Sequence, residues 1–301
     1  MKKIFILSIA ALAALCACNE QRIVPAEAPA VVTGKQQIVF GLAGNDFLSM
    51  KSKAVTESTV TTVEENGFKV AGVTSENTVL FNEVAKYVSD KEYYSTDTPY
   101  YYPTTGTTSF YAVYPNAEVI DVAEGVATVA YTSDGNKDFI VASATGVSAS
   151  DESVALAFAH ALSQVSFTAI GSDPNVTYKV ESVTLTAPAT GTYAYASNTW
   201  TDGSAASYTY VNEETEVSTS EPTALGEAQT HLPTALNVAV SWKCYSGAAL
   251  VGEYTKDADF TPTMGKKCTV NLTLPNAAAK PITFTITVAE WGEETRDITL
   301  E

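Results

Sequence analysis

The chain has 301 residues, 46% of them hydrophobic, which is enough for two compact domains with cores of their own. Acidic residues outnumber basic ones 34 to 17. A surface of that sign repels phosphate backbones and excludes a nucleic-acid partner.

Taken in order, Lys2 and Lys3 form a short positive region, and Ile4 to Leu15 form an apolar run too short to span a bilayer comfortably. Small residues follow up to Cys18, so residues 1–17 read as a secretory signal that is removed rather than folded. Its ending, Leu15-Cys16-Ala17-Cys18, resembles the lipobox of bacterial lipoproteins. That resemblance implies cleavage before Cys18 and acylation of Cys18, palmitate among the chains. Each buried CH₂ adds ~0.8 kcal/mol, so several chains hold a protein far more firmly than one. Loss of the signal takes Lys2 and Lys3 with it, leaving 15 basic against 34 acidic residues and a net charge of −19.

Residues 18–34, rich in Ala, Pro and Val, read as a linker from the lipid. Ile38, Phe40 and Leu42 then alternate with Val39 and Gly41, the pattern of a first strand with one face in a core. A polar stretch, Ser49 to Glu65, follows; within it Lys51 and Lys53 sit in a Ser/Thr/Val-rich loop open to proteolysis. Strands are predicted over Phe68 to Val73, Thr78 to Phe81, Ser109 to Tyr114, Val126 to Tyr131 and Phe139 to Ala142. Pro103, Gly106, Pro115 and Ser133-Asp134-Gly135-Asn136 mark connections, and Asn82 to Ser89 reads as a short helix or turn. No helical pattern of twelve or more residues follows the signal, so the fold is expected to be all-β.

Val154 to Ala169 is an apolar run that becomes strictly alternating at Val165, Phe167 and Ala169. The boundary between an N-terminal domain, 35–160, and a C-terminal domain, 161–301, is placed there. Later alternations are Val183-Leu185-Ala187, Tyr193-Ala194-Tyr195, Val238-Val240-Trp242, Val270-Leu272-Leu274 and Ile282-Phe284-Ile286-Val288. Strands at such short spacing suggest sandwiches, with no sequence repeat between the halves.

Chemistry-bearing patterns are few. Asp134 to Asp138 places oxygen ligands at alternate positions, but Phe139 and Thr145 stand where a calcium loop needs Gly and Glu, so a hairpin turn is the better account. His160 and His231 lack zinc-site spacing, and neither a nucleophile elbow nor a phosphate-binding Gly loop is present. No catalytic residue, metal or cofactor is predicted. Tyr93-Tyr94 and Tyr100-Tyr101-Tyr102 either stack on sugar rings from an exposed face or fill core positions; the second reading is preferred. Cys244 and Cys268 either bridge, which an exported chain permits, or remain buried free thiols.

Several of these segments together resemble the fimbrillin family, the lipoprotein-derived pilins of type V pili. The likeness lies in the lipobox ending at Cys18, in Tyr100 to Pro115, in Asp138 to Ala142 and in Phe158 to Val165. Gly265 to Val270 and Ile282 to Trp291 complete it, in the family's order. The resemblance implies two transthyretin-like β-sandwich domains in tandem and assembly with other pilin subunits by strand exchange. It also implies an outer-membrane precursor, an extracellular fimbrium and a host or bacterial surface ligand. A protease would cut between Lys53 and Ala54, with Lys51 as second choice, and release the strand bearing Ile38, Phe40 and Leu42. Relatives commonly show Arg-Ala at that place; here Arg22 is the only arginine before Arg296. Cys268 stands near a point where an aromatic is usual, which fits pairing with Cys244. The segment of Thr295, Ile298 and Leu300 is either a donor strand or the last strand of the second sandwich. A non-polymerising surface glycan-binding lipoprotein is the rival reading, and it requires Tyr100 to Tyr102 exposed together.

Overall fold

The computed structural model describes residues 36–43, 60–150, 152–276, 282–291 and 296–299. In chain order these form β1 (Phe40–Leu42), α1 (Val60–Asn66), β2 (Phe68–Thr74), β3 (Val79–Val88), β4 (Tyr93–Thr96), β5 (Thr108–Tyr114), β6 (Ile120–Ala123), β7 (Val126–Thr132), β8 (Ile140–Val147), β9 (Val154–Leu156) and β10 (Ala159–His160). There follow β11 (Ser163–Gly171), β12 (Thr177–Pro188), β13 (Thr190–Ala194), β14 (Thr199–Asp202), β15 (Ala205–Val211), β16 (Thr215–Val217), β17 (Thr223–Ala224), β18 (Gln229–His231), β19 (Leu236–Ser246), β20 (Ala249–Phe260), β21 (Lys266–Leu274), β22 (Thr283–Glu290) and β23 (Arg296–Thr299). The fold is all-β. Two elements differ from expectation. Asn82 to Ser89 lies largely in β3, whose apolar residues alternate too weakly to announce a strand, and the polar stretch before Gly67 ends in the short helix α1, anchored by buried Val63.

The first large sheet runs β10-β8-β5-β2-β3-β4-β1-β9. Laid flat, β1 and β5 would stand four strand spacings apart, about 19 Å. The rings of Phe40 and Phe110 on these strands are instead 5.3 Å apart. The sheet therefore curls over itself and closes around one core that includes Phe40, Phe68, Phe81, Phe110, Ile140 and Phe158.

The outer face of this sheet presents Ala71, Val113 and Val141, which pack with Ile120, Val129, Tyr131 and Tyr193 of a four-stranded sheet, β14-β13-β7-β6. That small sheet takes two strands from each side of residue 160, joined where β7 pairs with β13 from Thr132↔Thr190 to Thr128↔Ala194. Residues 35–301 accordingly make one compact unit. The remaining strands form two sheets, β17-β11-β21-β22-β23 with β18 on β11, and β15-β12-β19-β20 with β16 on β12. Their facing sides share one core, with Phe167, Tyr178, Leu185, Trp242 and Leu272 in it. Packing of two alternating faces at a common core is the sandwich arrangement.

Cys244 and Cys268 both lie in that core as free thiols, the second of the two alternatives the sequence left open and not the pairing that fits the family resemblance. The reason is longitudinal. Cys244 Sγ reaches the Pro275 carbonyl at 3.7 Å, just beyond the end of β21. Cys268 stands seven residues earlier on that strand, about 23 Å away at strand rise, whereas a disulfide needs Cα atoms within about 7 Å.

The loop between β7 and β8 is stapled to β18. Thr230 N–H donates to the Gly135 carbonyl at 2.8 Å and its hydroxyl to the Lys137 carbonyl at 2.8 Å. Next to it His231 is fully buried, its Nε2 2.9 Å from the Tyr210 hydroxyl. Burial holds its pKa down to about 3. A folded-state value below the unfolded one of about 6.5 means that stability is fully present above pH 6.5 and is lost as pH falls toward 3. Between pH 7 and 5 the expected loss is on the order of 2 kcal/mol. It is read as a falling urea midpoint, and His231→Phe should flatten that slope.

Candidate functional site

The chain from Gln36 to Ala43 is threaded between β4 and β9. It runs antiparallel to β4, with Phe40 opposite Tyr94, and parallel to β9, with Phe40, Gly41 and Leu42 opposite Val154, Ala155 and Leu156. Ile38 N–H donates to the Tyr100 carbonyl at 2.8 Å and Tyr102 N–H to the Gln36 carbonyl at 3.0 Å. On the other side Val154 N–H donates to the Val39 carbonyl at 2.8 Å and Ala43 N–H to the Leu156 carbonyl at 2.9 Å. Among the described residues β9 has no strand partner other than β1.

Alternation brings Ile38, Phe40 and Leu42 to one face, as the sequence predicts. Ile38 and Phe40 are buried and Leu42 is half-buried against the same core. The Phe40 ring meets Phe68, Phe81 and Phe110 edge-on at 6.0, 6.4 and 5.3 Å. Gly41 faces Ser153 so closely that a Cβ there would lie 2.9 Å from the Ser153 hydroxyl. Without this strand, backbone carbonyl and N–H groups along both neighbouring segments and an apolar trough would stand open together. Such a trough accepts an extended strand of matching side-chain pattern.

The tyrosine cluster mostly fills core. Tyr100 stacks on Phe81 at 4.6 Å and donates to Glu83 Oε1 at 2.6 Å, Tyr102 is buried against Phe110, and Tyr101 is exposed. The hydrogen bond to Glu83 raises the Tyr100 phenol above its usual range, and burial does the same for Tyr102. Tyr100 to Tyr102 therefore do not share one exposed face. In the Asp134 loop, Asp134 Oδ1 accepts from the N–H groups of Asn136 and Lys137 at 2.9 and 3.0 Å, while the Asp138 carboxylate turns inward. The carboxylates of this loop thus serve separate partners, and among the described residues no group of three or more His, Cys, Asp or Glu is placed to hold a metal ion.

Comparison with known proteins places this geometry. A family model described as fimbrillin-like matches residues 35–291. The chain belongs to the fimbrillin-like family. A fimbrial protein from Bacteroides vulgatus, known from its crystal structure, is 15% identical over 85% of this chain and 100% of its own, with a TM-score of 0.61. The fimbrial anchor protein Mfa2 from Porphyromonas gingivalis is 11% identical over 86% of this chain and 98% of its own, with a TM-score of 0.42. The likeness in fold rests on the first of these. No curated protein matches the chain.

Of the other expected positions, Ile298 of this fimbrillin-like chain lies in β23, opposite Ile286 of β22. Cys18, Lys51, Lys53, Ala54, Thr295 and Leu300 lie outside the described residues. One cluster was not anticipated: His160 Nδ1 sits 2.9 Å from the Asp138 carboxylate, and Trp291 stacks on its ring at 4.1 Å with planes 9° apart. The His160 and Asp138 side chains are 4% and 0% exposed, and the trio joins β10 to the residues leading into β8 and the residue following β22. The sequence signal was a histidine inside an apolar run. Truncation at the seat should be costly: Phe40→Ala is expected to destabilise by about 3–5 kcal/mol in urea unfolding. Tyr101→Ala should stay within about 0.5 kcal/mol.

Proposed function

We propose that this fimbrillin-like protein is a non-enzymatic fimbrial subunit, exported as a lipoprotein precursor acylated at Cys18 and tethered to the outer membrane. Cleavage between Lys53 and Ala54 frees the first strand, a strand of another subunit takes its place, and the resulting fimbrium serves adhesion. The division into two sandwich domains near residue 161, joined into one compact unit by the small sheet they share, and the role of Lys51 as a secondary cleavage site belong to the same reading.

The observation that carries it is the seat of residues 36–43. This strand is bonded on both sides and buried on one face, and the expected cleavage site follows it by only some ten residues of sequence, so proteolysis would sever it covalently from the sheet it completes. Polymerisation by β-augmentation needs such a trough. Because Arg22 is the only arginine before Arg296, the protease must accept lysine.

Intact-mass and N-terminal analysis of protein from sheared fimbriae and from cell envelopes tests the proposal. The fimbrial form is expected to begin at Ala54 and the envelope form at acylated Cys18. A Lys51→Gln/Lys53→Gln variant should accumulate as the acylated form and be lost from fimbriae. Recovery of only uncut, acylated chain from wild-type fimbriae would sink strand release.

A further inference from the structure

We infer that the strand accepted by this seat comes from a different subunit, one whose donor segment carries an aromatic ring at the place of Phe40 and aliphatic side chains two residues to either side. The inference rests on the strand-release reading and specifies the partner.

The seat sorts donors by side chain, because its backbone groups are satisfied by any extended strand. At its centre the space among Phe68, Phe81 and Phe110 is shaped for a ring approached edge-on from three directions. An aliphatic residue there leaves a void, which costs both the lost contacts and the cavity. Next to it, a Cβ at the place of Gly41 would meet only the hydroxyl of exposed Ser153, which can turn aside, so that position does not sort donors.

The chain's own segment 295–301 does not meet these demands. For a strand entering in the direction of β1, two alignments put its apolar residues inward. Setting Ile298 at the place of Ile38 puts Leu300 in the ring's space, where it leaves the void. Setting Ile298 in the ring's space leaves the void there too and forces Arg296 into the site of Ile38, which is only 2% exposed. A guanidinium buried there without a carboxylate is heavily penalised. Independently, residues 296–299 already pair with β22, from Val288↔Arg296 to Thr285↔Thr299, so this segment has a place in its own sheet.

The test uses the full chain with a specific protease site introduced across residues 49–56, cut after folding. Fluorescent capped peptides are then offered in mild urea and their uptake is measured by anisotropy. The peptide of residues 36–43 should enter, its Phe40→Leu version should bind at least roughly tenfold more weakly, and a peptide of residues 294–301 should not bind measurably. Entry of 294–301 as readily as 36–43, or an undiminished Phe40→Leu peptide, would overturn the inference while leaving strand release intact. Failure of every peptide, including 36–43, would instead count against strand release and take the inference with it. The same Phe40→Leu change in the uncut chain gives a readout independent of exchange. It is expected to lower the midpoint of thermal unfolding by roughly 5 °C, and an unchanged midpoint would refute the claimed selectivity of the seat.

Discussion

The edge-on meeting of Phe40 with Phe68, Phe81 and Phe110 is the contact on which the first sheet depends. A twisted sheet of eight strands has no reason to fold back on itself unless something apolar occupies the space it encloses. Phe40 supplies that from a strand contributing only three residues to regular pairing, and Ile38 and Leu42 extend the apolar line on either side of it. The strand also supplies the pairing of β9, which in turn leads through buried Phe158 to His160 and its stack on Trp291. A short N-terminal element is thus structurally central despite its small size.

Period-two alternation made much of this visible in advance. Ile38-Phe40-Leu42, Val165-Phe167-Ala169, Val238-Val240-Trp242 and Val270-Leu272-Leu274 each bury one face and stand where the pattern put them. The misses share a physical cause. Strands β9 and β10 contribute three and two residues and vanish inside the apolar run from Val154 to Leu162. In β3, Asn82, Glu83 and Lys86 interrupt the apolar residues because part of each face meets solvent and part meets the curled sheet. Helix α1 spans seven residues, too few for a 3.6-residue period to register.

The site itself was half legible. Its inward-facing residues could be named, but not its walls, because β4 and β9 are distant in sequence from β1 and from each other. The same holds for the pairing of β7 with β13 and for the stack of His160 on Trp291: each joins positions that no local pattern relates. The cysteines show the converse limit. Two thiols on apolar strand faces left a bridge and free thiols equally open, and the lengthwise offset of β19 and β21 decides between them.

The direction of β1 carries a mechanical consequence. Its hydrogen bonds to Tyr100, Tyr102, Val154 and Leu156 lie across the strand axis, on both sides at once. A pull along the axis, such as flow exerts on a filament held at one end, therefore loads all of them together in shear, and none can open before its neighbours. A pull across the axis would peel them singly. A strand held in this seat is strong under tension lengthwise and weak against prying.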